Sequence, residues 1–244
     1  MIAVSSLPVF HYPPAASSFE NIADAAQPLS RNRRNIGEPA KYWPQDSTIK
    51  IAMYDYDMDD PYVSAVKKAA SEWLPHINLK FEFVPGEEGD VRITQNINNE
   101  EGGSSAIGTK ALDMSPASPT MSLPRDHTHP RFKYVVMHEF GHMLGAHHAH
   151  QHPDANIPWD MDKVYEGYNR IAGLDRKGVQ KNVLPLPRSD QYDFLPYDGD
   201  SLMHYEISPH LTHGGWGQSE NWSLSDGDIA WAKKAYPKAE AATS

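Results

Sequence analysis

The chain has 244 residues, with 22 Lys and Arg against 32 Asp and Glu and a formal net charge of −10, so it offers no basic surface to phosphate and no nucleic-acid partner is expected. No apolar run approaches the roughly 18 residues needed to cross a bilayer, so no membrane span is expected either. There is no cysteine, which excludes disulfides and leaves the fold to packing and any bound metal; such a chain suits oxidising and reducing compartments alike.

Residues 1–41 are rich in Pro, Ser, Ala and Asn with short apolar patches and read as an extended N-terminal arm or propeptide remnant. They lack the charged start and the 7–15-residue apolar stretch of a secretory signal. Arg31-Asn32-Arg33-Arg34 is a solvated charge run or a processing site that would release a chain near Asn35. Residues 42–244 read as the folded domain, long enough for one sizeable core or two small lobes.

Within it, Thr48–Met53 alternates as a strand does. Residues 61–73 carry Val63, Val66, Ala70 and Trp73 at helical spacing. Two further strands are predicted over Leu79–Val84 and Val91–Thr94, separated by the turn-forming Pro85-Gly86-Glu87-Glu88-Gly89. The order strand, helix, strand, strand predicts an α+β fold, a mixed sheet backed by helices. Next comes a helix over about Pro130–Gly145, in which Val136, Phe140, Met143 and Leu144 form one apolar stripe that Val135 and Met137 widen. Pro130 is tolerable in its first turn. A last helix is predicted from about Ser225 to Tyr236.

The middle helix carries His138-Glu139-Phe140-Gly141-His142-Met143-Leu144-Gly145-Ala146-His147-His148, which fits H-E-x-x-H-x-x-G-x-x-H. His138 and His142, four residues apart, can aim two imidazoles at one metal from successive turns. Glu139 then lies beside the metal without binding it. Gly145 can end the helix in a left-handed conformation and let the chain deliver a third imidazole. His148 has the motif spacing; His147, at the wrong offset, is the alternative. Three protein ligands leave a zinc ion an open position, as catalysis requires. With 13 His in the chain, the neighbours His127, His129, His150 and His152 read as solvated or adventitious.

Asp200-Ser201-Leu202-Met203-His204-Tyr205 resembles the methionine turn that packs beneath the zinc-bound imidazoles of metzincins. With this second segment the chain resembles an astacin-family metzincin, closest to bacterial and fungal members; the Ser-x-Met-His-Tyr form favours astacins over matrixins. Residues 103–108 resemble the family's edge strand, 119–123 the strand leading to the active-site helix, 150–165 the stretch after the third histidine, and 224–237 the closing helix. The similarity runs from about Tyr42 to Pro237.

The resemblance implies a metzincin-type zincin: an upper mixed sheet with helices, a lower loop-rich lobe, and an active-site cleft between them. It implies a zinc-dependent endopeptidase, monomeric, acting on proteins or peptides, secreted or delivered into another cell by a route the sequence does not display. Its metal ligands would be His138, His142 and His148. Glu139 would take the proton of the attacking water, and Tyr205 would be an extra zinc ligand that swings away to stabilise the tetrahedral intermediate. The rim strand at residues 103–108 could bind substrate by adding it to the sheet edge. The alternatives are a catalytically silent zinc protein that binds peptides and a zinc amidase on a non-protein substrate. Two departures stand out. Ala149 occupies the place where astacins carry a Glu that helps anchor the mature amino terminus, and without Cys any latency needs another ligand, for which Asp24 and Glu38 are candidate carboxylates.

Overall fold

The computed structural model describes residues 4–5, 35–54, 56–96 and 101–239. Two short strands come first in the chain, β1 (Val4–Ser5) and β2 (Ile36–Gly37). Strand β3 (Thr48–Met53) forms where the sequence alternates, and it turns Ile49 and Ile51, both fully buried, towards the helices. It leads into α1 (Pro61–Ala70). Asp60 caps that helix by accepting from Tyr62 N, and Pro61 fits its first turn because its missing N–H would be unpaired there anyway. The predicted helix over residues 61–73 divides: α1 ends at Ala70 and a 3-10 segment, Ser71–His76, continues it. Pro75 cannot donate the bond that another α-turn would need.

Strands β4 (Lys80–Pro85) and β5 (Val91–Gln95) follow, each within a residue of expectation. Both pair with β3 in parallel. Strand β7 (Met121–Leu123) pairs with β5 in parallel, and β6 (Ser104–Ser105) pairs with β7 antiparallel. The predicted mixed sheet is therefore present, in the order β1-β6-β7-β5-β3-β4. Its outermost strand has no counterpart in the sequence reading: β1 lies antiparallel on the outer side of β6, pairing Val4 with Ser105 and Ser5 with Ser104.

Helix α2 (Phe132–Met143) packs on α1. Its residues are buried on every face except at Lys133, so it runs through the core rather than along its surface. Carbonyls along it accept from core tryptophans: Trp73 Nε1 donates to Met137 O at 2.9 Å and Trp43 Nε1 to Met143 O at 2.8 Å.

Below α2 the chain contains more helix than a loop-rich lobe implies. Helix α3 (Met161–Ala172) starts at the cap Asp160 and ends at Gly173 in the left-handed region, and α4 (Arg176–Asn182) starts at the cap Asp175. They bury Val164, Tyr168, Val179 and Val183 in a second, smaller core with Leu184 and Leu211. The closing helix α5 (Asp226–Ala235) begins with a capping box between Ser225 and Asp228 and packs Trp231 edge-on against Trp73, ring centroids 6.0 Å apart. Residues 35–41, read from sequence as the end of the arm, are integral to the core region: β2 pairs with β8 (Asp193–Phe194), and Pro39–Lys41 form one 3-10 turn. Asp24 and the Arg31–Arg34 cluster lie outside the described residues. Among the described residues no helix is long and apolar enough to cross a membrane.

Candidate active site

His138 and His142 project from one face of α2, their ring centroids 4.9 Å apart. Each ring is fixed from behind. His138 Nδ1–H donates to Leu202 O at 3.0 Å and His142 Nδ1–H to Ala146 O at 2.8 Å. A carbonyl can only accept, so both Nε2 atoms of the neutral rings carry lone pairs, the arrangement that orients a metal ligand. The helix ends as predicted, with Gly145 at φ 102°. The turn brings His148 round so that its Nε2 lies 2.9 Å from His142 Nε2. One nitrogen from each of His138, His142 and His148 falls within 4.8 Å of the others.

Burial makes this arrangement expensive without a cation. The three rings are at most 2% exposed, and His138 Nε2 has no hydrogen-bond partner. Desolvation pushes His138 down to about 4 and holds His142 and His148 well below the usual imidazole range, so protons cannot fill the gap at neutral pH. Three neutral imidazoles converging on one point fit zinc, whose catalytic sites take three protein ligands and leave a further position open. Both Glu139 oxygens are buried without a hydrogen-bond partner, and burial raises the carboxyl well above its usual range.

His147 does not join the triad. Its Nε2 pairs with Glu38 at 3.0 Å, and Gln191 donates to the other Glu38 oxygen at 3.1 Å. These bonds, that from His147 foremost, hold the Glu38 carboxyl below its usual range. Glu38 is thus engaged on the far side of the Gly145 turn and is not a latch on the metal site, a correction to the sequence reading. The neighbour His150 is also corrected: it is fully buried, not solvated.

The methionine turn is placed by Asp228 of α5. This buried carboxylate accepts from Ser201 Oγ at 2.7 Å, Leu202 N at 2.8 Å and Ser225 N at 2.8 Å, and from Asn35 Nδ2. Leu202 is the residue whose carbonyl holds His138, so the closing helix sets the His138 ring through one intermediate residue. Met203 is fully buried and lies against Gly141, between the two helical histidines. Its carbonyl accepts from Ala149 N at 2.9 Å, which fixes the segment bearing His148. Ala149 is itself buried.

Tyr205 closes the group. Its ring centroid lies 4.0 Å from that of His148, 4.7 Å from His150 and 5.8 Å from His138. His204 Nδ1–H donates to the Tyr205 carbonyl at 2.7 Å, and Tyr197 donates to His204 Nε2 at 2.9 Å. Above the site Gly103 approaches Glu139 so closely that a Cβ there would sit 2.7 Å from Glu139 Cγ.

A helix presenting two imidazoles and a carboxylate, a glycine turn to a third imidazole, and a methionine turn beneath them define a metzincin-type α+β zinc metallopeptidase. The model of the astacin peptidase family matches residues 35–212, and the chain belongs to that family. It is 35% identical to myroilysin in one solved structure, with a TM-score of 0.75 over 84% of this chain and 99% of that one. A second myroilysin structure gives 34% identity and a TM-score of 0.61 over 82% and 87%. The high choriolytic enzyme 1 of the medaka fish Oryzias latipes, a hatching zinc protease, shares the fold at 14% identity, with a TM-score of 0.56 over 80% and 93%. The zinc metalloproteinase nas-26 of Caenorhabditis elegans is 33% identical over 84 residues; that match spans 32% of this chain and 19% of the nematode protein.

Proposed function

We propose that this protein is a zinc endopeptidase that cuts within protein chains, with His138, His142 and His148 holding the metal through one ring nitrogen each. The observation that carries the reading is three buried imidazoles converging beside a buried, unpartnered Glu139 carboxyl. Zinc, when bound, supplies Lewis acidity towards water and the scissile carbonyl. Glu139 takes the proton of the attacking water and returns it to the leaving amine; burial makes its carboxylate a stronger base than a solvated one. The Tyr205 hydroxyl donates to the oxygen on which charge develops, a task suited to a phenol whose ring packs on His148.

Substrate binding follows from the sheet. The outer side of β6 accepts an antiparallel strand, here the chain's own Val4–Ser5, and an extended substrate would take the same edge by displacing those two residues. The enzyme is proposed to work outside the cell that makes it. Incubation with casein, with and without a chelator, tests the reading: cleavage that the chelator stops and added zinc restores is expected. An inert zinc-loaded protein would overturn it.

A further inference from the structure

One ring contact away from the histidine cluster lies an exposed aromatic surface that the reaction does not use. Trp222 is 47% exposed, one of three large apolar side chains so exposed among the described residues. Its ring stacks on Tyr134 with centroids 6.2 Å apart and planes 25° from parallel, and Tyr134 in turn packs on His138 at 5.8 Å. One buried phenol ring therefore separates an exposed indole from a metal-facing imidazole.

The indole is held in place. Its Nε1 donates to Glu220 Oε2 at 3.1 Å. Glu220 also receives Arg131 through Nε at 3.2 Å and Nη2 at 2.5 Å, in an ion pair whose side chains are only about a tenth exposed. The Arg131 guanidinium lies 5.3 Å from the Tyr134 ring centroid. Both charges and the indole N–H are thus consumed, and what faces outward is a neutral aromatic face.

Chain direction says which part of a substrate meets it. Gly103, before β6, lies against Val135 and Glu139; Gly108, after it, lies against Lys41, whose carbonyl and neighbour Tyr42 also abut Gly145 past the end of α2. Residues 103–108 therefore run in the same direction as α2. A peptide laid antiparallel on β6, as β1 is, sends its C-terminal part towards the start of α2, where Tyr134 and Trp222 stand.

From this geometry we infer that Trp222, backed by Tyr134 and pinned by the Arg131–Glu220 pair, forms a specificity subsite for an aromatic side chain within the first three residues after the scissile bond. The inference rests on the peptidase reading above. A flat ring stacking on the indole gains an interaction that a methyl group cannot make, a preference of about five- to tenfold.

The test uses zinc-loaded enzyme and matched peptides carrying Phe or Ala at each of the three positions after the cut. In Trp222→Ala the Phe-to-Ala ratio of kcat/KM is expected to fall about five- to tenfold, chiefly through KM, and Trp222→Tyr is expected to keep most of it. The same loss should appear in peptide dissociation constants measured by calorimetry on Glu139→Gln enzyme, with and without Trp222→Ala. A Phe-to-Ala ratio within twofold of the parent at all three positions, or equal losses for both peptides with a lower thermal midpoint, would reduce Trp222 to a cover for Tyr134 and overturn the proposal. If no peptide is cleaved at all, the peptidase reading falls, and the calorimetric ratio still decides the subsite.

Discussion

At the scale of single residues, each proposed role separates metal retention from chemistry. Glu139→Gln keeps the shape of the side chain and removes the base. It is expected to hold zinc normally, as measured by metal content after dialysis, while kcat on a peptide falls by about 100-fold or more. His148→Ala should lose zinc on dialysis and His147→Ala should not, because His147 is committed to Glu38. Gly103→Ala tests the close approach over the base: its Cβ would meet the Glu139 carboxyl and Val135, so activity should fall at unchanged zinc content. Equal metal loss in all four variants would mean that the site is one undivided unit. The triad and Glu139 were legible because their spacing is local. Asp228 and Glu220 were not, since Asp228 reaches Leu202 across 26 residues and Glu220 reaches Arg131 across 89, and no short-range periodicity records such pairs. Trp222 escapes a sequence reading for the same reason, since its stacking on Tyr134 is a long-range contact.

Elements carry a different part of the design. Helix α5 begins at a box whose Asp228 also anchors the methionine turn, so one carboxylate caps a helix and fixes a loop. Desolvation raises the Asp228 carboxyl, and the bonds from Ser201, Ser225, Leu202 and Asn35 pull the other way. Removing it leaves several buried donors unpaired, each costing about 1–3 kcal/mol. Asp228→Ala is therefore expected to cost about 3 kcal/mol or more, a drop of roughly 6–12 °C in thermal midpoint for a chain of this size, and to weaken zinc binding by loosening Leu202. A variant with an unchanged midpoint would refute the anchoring role. Strand β3 and helix α2 could be read from sequence because pattern and packing agree there. The rim is shorter than its sequence suggests. Residues 103–108 supply only the two-residue β6, because the chain turns into a 3-10 segment at Gly108, whose φ is 49°. Helix α3 escapes a sequence reading although Met161, Val164, Tyr165 and Tyr168 follow helical spacing between the cap Asp160 and Gly173; its core is a satellite that the main hydrophobic pattern does not announce.

For the whole molecule, burial of so many imidazoles ties stability to pH. His138 and His204 are each pushed down to about 4, and His142, His148, His150 and His152 are lowered as well, desolvation being the first cause in every case. The unfolded chain binds protons at these rings below about 6.5 while the folded chain does not, so stability present above that pH is lost as pH falls towards about 4. Glu139 and Asp228, raised by burial, act in the opposite sense over the acid range, but two carboxyls stand against six imidazoles. The metal-free protein is expected to unfold at lower urea at pH 5 than at pH 7.5; an equal or higher midpoint at pH 5 would contradict this.

The way α5 closes the molecule has one more consequence. Tyr236 donates to Leu144 O at 2.7 Å, accepts from Trp43 N at 3.2 Å and takes Asn78 N on its carbonyl at 3.0 Å. The residues that seal the end of α2 are thus synthesised 92 positions after Leu144. A nascent chain that ends before Trp231 holds all three histidines yet lacks the aromatic side chains that close the core behind them.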